Sequence, residues 1–129
     1  VVPIVNENDT VSVTELMFTD NDELSGLIAE MTGAHTLVLL SNIPGIYDRH
    51  PGDPGARLIR SVRCTDDLSG CIGEEKSSFG RGGMLSKYNT ARRVAASGIR
   101  VLIADGKREG ILPDLILRPE DTEFTEFLP

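Results

Sequence analysis

The chain has 129 residues, no tryptophan, a hydrophobic fraction of 40% and a formal net charge of −7. That length suits one small domain or part of a larger one, with a core built from aliphatic rather than aromatic side chains. The acidic balance excludes nonspecific binding to nucleic acid or to an anionic membrane surface, and no apolar run is long enough to cross a bilayer.

Residues 2–5 form a short β-branched apolar run, the pattern of a buried strand. The stretch Val1-Val2-Pro3-Ile4-Val5 has neither an initiator methionine nor the basic region of a signal peptide, which predicts a cut inside a longer protein. Residues 11–16 alternate and predict a half-exposed strand. Residues 20–33 read as a helix. Asp20 and Glu23 form a capping-box-like pair, Leu24, Leu27, Ile28 and Met31 define one apolar face, and Gly33 is the stop. Residues 36–40 are a continuous apolar strand, covered on both faces. A Pro/Gly-rich loop spans residues 44–55.

Residues 58–62 predict a strand and residues 65–72 a short helix, with a polar, glycine-rich stretch over 74–83. Cys64 and Cys71 read as free thiols: a disulfide would suit a secreted domain, and nothing else in the sequence looks secreted, while two cysteines without a nearby pair of histidines make a poor zinc site. Residues 84–97 predict a helix with Met84, Tyr88, Ala91 and Ala95 on one face. Residues 100–104 are another buried strand, and residues 115–117 and 124–128 are weaker strand candidates. Strands alternating with helices indicate an α/β fold with a mainly parallel sheet. In such sheets ligands sit at the carboxyl ends of the strands, where the loops after Val5, Leu40 and Ala104 gather.

The segment Phe79-Gly80-Arg81-Gly82-Gly83-Met84-Leu85-Ser86-Lys87 is the most informative in the chain. Glycines allow a backbone to approach a ligand closely. A helix start presents unpaired N–H groups and a partial positive charge, and the lysine adds a full one. Together they make a cradle for a polyphosphate. The spacing is not the Walker pattern, because neither Lys-Ser nor Lys-Thr follows the last glycine directly. Two polar clusters flank it in sequence, Asn6-Glu7-Asn8-Asp9 after the first strand and Asp20-Asn21-Asp22 at the first helix. Carboxylates there suit an ammonium group and amides suit a carboxylate. Either cluster alone reads as ordinary turn and cap residues.

These three segments in order resemble the glutamate 5-kinase branch of the amino-acid kinase family. The resemblance covers nearly the whole chain and thins after about Gly110. It implies a three-layer α/β/α sandwich, here incomplete, with residues 1–129 forming the C-terminal portion of the kinase domain and the N-terminal part absent. It also implies ATP-dependent phosphorylation of the L-glutamate side-chain carboxylate to glutamyl 5-phosphate, the first step of proline biosynthesis, with Mg²⁺ accompanying the nucleotide. Cytoplasmic location, homo-oligomeric assembly and feedback inhibition by proline are further family properties.

Position by position, the resemblance makes Asp9 and Asn21 glutamate-binding residues and Asp22 an aspartate that orients catalytic lysine. It makes Lys87 the lysine that stabilises the transferring phosphoryl group. Arg81, Gly82, Gly83, Met84, Leu85, Ser86 and Lys87 correspond to the nucleotide loop. Ser41 and Asn42 correspond to a nucleotide-contacting pair that is typically Thr-Asp, and Gly45-Ile46-Tyr47 to a loop near the nucleoside. Arg81 departs from a common threonine, and Asn42 from the usual carboxylate. The family's upstream Lys and Gly-Ser phosphate turn are not in the chain. Two alternatives stand beside this reading: a relative with a different acceptor, and a non-catalytic nucleotide-binding module formed by the isolated fragment.

The remaining conspicuous residues have plainer readings. His35 and His50 are surface or loop residues, Arg92 and Arg93 lie on a wet helix face, and the acidic run over 120–126 is a solvated edge. A substrate carboxylate is already ionised at neutral pH, so no proton-abstracting residue is assigned.

Overall fold

The computed structural model describes residues 1–6, 21–63, 65–68 and 83–129. The predicted strand over 11–16, the cap at Asp20, both cysteines and most of the glycine-rich stretch lie outside these residues.

The elements run α1 (Asn21–Thr32), β1 (Thr36–Ser41), β2 (Ser61–Arg63), α2 (Met84–Ala96), β3 (Arg100–Asp105), α3 (Ile111–Leu117), a single 3₁₀ turn (Pro119–Asp121) and β4 (Phe124–Leu128). The four strands form one sheet in the order β1-β3-β4-β2. The pairs β1–β3 and β2–β4 are parallel, and β3–β4 is antiparallel. The α/β expectation holds, with one antiparallel pairing in the described sheet.

Alternation along β3 divides the core in two. Val101 and Ile103 face one side, with Leu39, Val62 and Phe127, and are covered by Tyr88, Ala91, Val94 and Ala95 of α2 and Ala29 of α1. Leu102 and Ala104 face the other side, where Phe124 and Ile111 and Leu115 of α3 cover them. Helices thus lie on both faces of the sheet, as the three-layer expectation requires. Within the larger core the Tyr88 and Phe127 rings meet at a tilt with centroids 6.0 Å apart, a favourable aromatic geometry.

Several expectations are corrected. Residues 1–6 carry no regular structure, and Val1, Val2, Ile4 and Val5 are exposed. An apolar β-branched run becomes a strand only where a neighbour takes up its backbone hydrogen bonds, and no described strand pairs with this one. Residues 115–117 are helical, not extended. A short apolar run does not distinguish the two states, and here Ile111 and Leu115, four apart, share the buried face. The strand predicted over 58–62 is shifted to Ser61–Arg63, with Leu58 making only an isolated bridge to Tyr47. Residues 65–68 are not helical.

The acidic run over 120–126 is not simply a solvated edge. β4 lies inside the sheet between β3 and β2. Phe124, Thr125 and Phe127 are buried, and Glu126 pairs with Arg100. Glu120, Asp121 and Glu123 remain exposed.

The buried face of α1 also differs from the apolar pattern. Gly26 and Ala29 are its buried residues, whereas Met31 is exposed. The cause is the approach of α2. A Cβ on Gly26 would stand 3.0 Å from the methyl groups of both Thr90 and Val94, so the smallest side chains take the contact and the larger ones flank it.

Candidate functional site

Chain direction gathers the polar segments at one end of the sheet. Helix α1 runs into β1 and α2 into β3 through short turns at Gly33 and Gly98, both at positive φ. Each helix therefore returns antiparallel to its strand. The N-termini of α1 and α2 lie beside the carboxyl ends of β1 and β3, where Ser41 and Asp105 sit in register. Asn21, Asp22, Ser41, Asn42 and the stretch from Gly83 to Lys87 thus share one side of the domain.

The clearest product of this convergence is a contact between Lys87 and Asp22. The Lys87 ammonium donates to both carboxylate oxygens of Asp22, at 3.2 and 3.0 Å, across 65 residues of sequence. Both side chains are about 15% exposed (14% and 15%), so the pair is largely withdrawn from water. Such a pair orients its lysine. Leaving either charge without its partner costs more than the pair itself contributes.

Beside it the first turn of α2 carries no acidic side chain of its own. Its N-cap, Gly83, makes no side-chain cap hydrogen bond. The carbonyl of Gly83 accepts from the backbone N–H of Ser86 and Lys87, at 3.1 and 3.3 Å, which closes the first turn. The positive end of the helix dipole and Lys87 therefore act in the same place.

At the end of β1, Ser41 is partly buried and Asn42 exposed. The Ser41 carbonyl accepts from Gly106 N–H at 2.8 Å, which ties the β1 and β3 exits together. A cleft of about 290 Å³ opens there, lined by Pro44, Asp105, Arg108, Asp121 and Glu123. The phenol of Tyr47 is raised above its ordinary value of 10.0 by burial and by the carboxylates of Glu123 and Asp105. Asp105 was detectable in sequence as the polar residue ending a buried strand. Asp121 and Glu123 carried no such signal, because their place depends on β4 running antiparallel into the same end of the sheet.

The structure places Asn21 at the first position of α1, exposed, and Asp22 beside it. It brings Asp22 and Lys87 together, with Gly83, Met84, Leu85 and Ser86 on the same turn. Asp9, Arg81 and Gly82 lie outside the described residues. No group of three or more His, Cys, Asp or Glu side chains among the described residues is arranged to hold a metal ion. Among the same residues no helix is long and apolar enough to cross a membrane. His35 is exposed, and His50 accepts from Gly52 N–H within its loop. Arg93 is half exposed and pairs with Glu30.

A sequence profile of the amino acid kinase family matches residues 1–105. The chain is 61% identical over 129 residues to a glutamate 5-kinase of Bacteroides thetaiotaomicron, which covers all of this chain and 36% of that protein. It is 51% identical over 113 residues to a glutamate 5-kinase of Chlorobaculum tepidum, covering 87% of this chain and 31% of that protein. The chain thus spans about a third of the length of these relatives. Among solved structures, an isopentenyl phosphate kinase substrate complex superposes with a TM-score of 0.63 at 17% identity, covering 84% of this chain and 40% of that one. UMP kinase from Ureaplasma parvum superposes at 0.62 with 15% identity, covering 85% and 42%. At those identities the two structures support the fold alone.

Proposed function

The chain belongs to the amino acid kinase family, and on that premise we propose that it forms the C-terminal portion of a glutamate 5-kinase domain. The reaction is transfer of the γ-phosphoryl group of ATP to the side-chain carboxylate of L-glutamate, at the head of proline biosynthesis. The observation that carries this reading is the Asp22–Lys87 pair beside the N-terminus of α2, whose first turn has no acidic residue. The high identity to two glutamate 5-kinases supports the choice of acceptor.

Transfer between two anions depends on charge neutralisation and alignment more than on covalent chemistry. Lys87 and the first N–H groups of α2 would bind the phosphoryl oxygens as charge develops on them. Asp22 fixes the direction of the Lys87 ammonium. Asn21, next to Asp22, is assigned to the glutamate, as is Asp9. Ser41 and Asn42 are assigned to the nucleotide, with Arg81, Gly82 and the turn that follows them. Mg²⁺ would be carried by the nucleotide phosphates and supply further positive charge, since that ion needs only one or two carboxylates besides its phosphates and waters. No general base is required, because the acceptor carboxylate is ionised at neutral pH.

The test is an assay of the full-length protein with ATP and a panel of amino-acid and phosphate acceptors, the acyl phosphate being trapped with hydroxylamine. Glutamate-dependent hydroxamate is the expected product. Phosphorylation of another acceptor in preference to glutamate would overturn the assignment. The 129-residue chain alone is expected to be inactive. Cytoplasmic location, homo-oligomeric assembly and inhibition by proline belong to the same proposal. The last is tested by proline competition against glutamate.

A further inference from the structure

The loop that leaves β1 is held from below by one buried hydroxyl. Thr125, in the middle of β4, is fully buried and shares a sheet face with Ile103, its partner in register. Its Oγ1 accepts from the backbone N–H of Ile46 at 2.9 Å and donates to the carbonyl of Ile59 at 2.7 Å. Ile59 N–H in turn donates to the Ile46 carbonyl at 2.8 Å. Three groups far apart in sequence are thereby closed into one ring of hydrogen bonds.

The backbone before Ile46 lies directly on the same side chain. A Cβ on Gly45 would overlap the Thr125 hydroxyl and stand 2.9 Å from Thr125 Cβ and 3.0 Å from its backbone nitrogen. The contact is set by backbone and a buried strand, not by the flexible end of a long side chain, so it has little room to relax. Gly45 has no positive φ, and space alone excludes a side chain there. Beyond Gly45 the loop continues as Pro44, which lines the cleft, and as Asn42 and Ser41 at the β1 exit.

We infer that Thr125 is a positioning residue for nucleotide binding: its hydroxyl and the missing side chain of Gly45 fix the height of the loop that carries Ser41 and Asn42. Thr125 touches neither substrate. It acts by holding Ile46 and Gly45 against β4. The inference rests on the reading of the β1 exit as part of the nucleotide site.

The experiment measures binding of a non-hydrolysable ATP analogue and of glutamate, separately, by calorimetry on the full-length protein and its variants. Thr125→Val keeps the shape and removes the hydroxyl, leaving a buried donor and a buried acceptor without their partner. It is expected to weaken the nucleotide about tenfold and to leave glutamate within about twofold. Thr125→Ser keeps the hydroxyl and is expected to bind both ligands as the parent does. Gly45→Ala, whose added methyl collides with the Thr125 hydroxyl and side chain and lifts the loop off β4, is expected to reproduce the nucleotide defect. It carries the test if Thr125→Val fails to fold.

Unchanged nucleotide affinity in a folded Thr125→Val or Gly45→Ala, equal loss of both ligands, or a serine variant as weak as the valine one would each overturn the inference. A parent protein that binds the analogue but phosphorylates an acceptor other than glutamate would sink the proposed acceptor and leave Thr125 in its role. A parent that binds no nucleotide would sink both.

Discussion

Helices α2 and α3 begin on opposite faces of the same sheet, and they treat their N-terminal charge differently. In α3 the first turn contains Asp114. Its carboxylate is engaged by Arg108, just ahead of the helix, and by Arg118 at its far end, each at 2.8 Å. That terminus is neutralised from within. In α2 the first turn holds no acid, and one turn in stands a cation, Lys87, itself oriented by a carboxylate from another helix. A helix start becomes a place for an external anion only when the chain declines to supply an internal one. The difference also separates stability from binding. The Asp114 cluster stabilises its own helix, while the first turn of α2 supplies no carboxylate of its own to its dipole.

The sharpest way to break this contrast is Lys87→Ala in the full-length protein. Turnover is expected to fall by about a hundredfold or more, while the KM for glutamate stays within about threefold. Equal loss in both would deny Lys87 a part in the transition state.

Giving α2 what α3 has is the next test. Leu85 is exposed in the first turn of α2, and Leu85→Glu places a carboxylate there. Nucleotide affinity is expected to fall about fivefold, while thermal stability is retained or rises by about 0.5 kcal/mol. Unchanged nucleotide binding would show that the phosphates lie elsewhere.

The converse substitution, Asp114→Asn, removes the internal acid from α3. A loss of about 1 kcal/mol is expected in urea unfolding. The figure is small because Arg108 and Arg118 are 40% and 67% exposed and solvent screens such pairs. Nucleotide affinity should not change.

The smallest effect concerns the cleft beside α3. Tyr47 holds its proton more tightly in the folded protein than in the unfolded chain. The folded state therefore binds more protons as pH rises above the ordinary phenol value, and stability falls through that window. Tyr47→Phe is expected to make the loss of stability as pH rises past the ordinary phenol value shallower, read as the shift in urea midpoint. An identical slope in the variant would assign the alkaline loss to other groups.

Much of the fold was legible from local pattern. The apolar run 36–40 and the run 100–104 are β1 and β3 within a residue, although β1, at an edge of the described sheet, is not covered on both faces and leaves Leu40 exposed. The periodic stretches over 20–33 and 84–97 are α1 and α2. These segments succeed because burial on one or both faces imposes a period that the residues themselves record. Residues 115–117 fail because three apolar residues carry no period. Residues 2–5 fail because a strand is completed by its neighbour, and nothing in those four residues specifies one. The buried face of α1 was misassigned for a related reason. Hydrophobicity points to Leu24, Leu27, Ile28 and Met31, but the closest contact with α2 selects Gly26 and Ala29 for size.

Of the candidate site, Asp22, Lys87 and the first turn of α2 could be named from residue type and order, and the structure sets them side by side. Thr125 could not be. A threonine in a β-branched strand looks like any other, and its two bonds reach residues 79 and 66 positions away.

The amino-acid order alone determined which segments fold as α1, α2, β1 and β3, and that a helix would start behind a glycine and free of acidic residues, with a lysine one turn in. Those properties arise from neighbours within a few residues, where propensity, periodicity and the helix dipole operate. Only the tertiary structure decided that Asp22 would receive that lysine, that β4 would enter the sheet antiparallel with Glu123 at the cleft, and that one threonine would carry the loop after β1. Each of these depends on distances between segments remote in sequence. The packing of helices on a twisted sheet fixes such distances, and no local pattern encodes them.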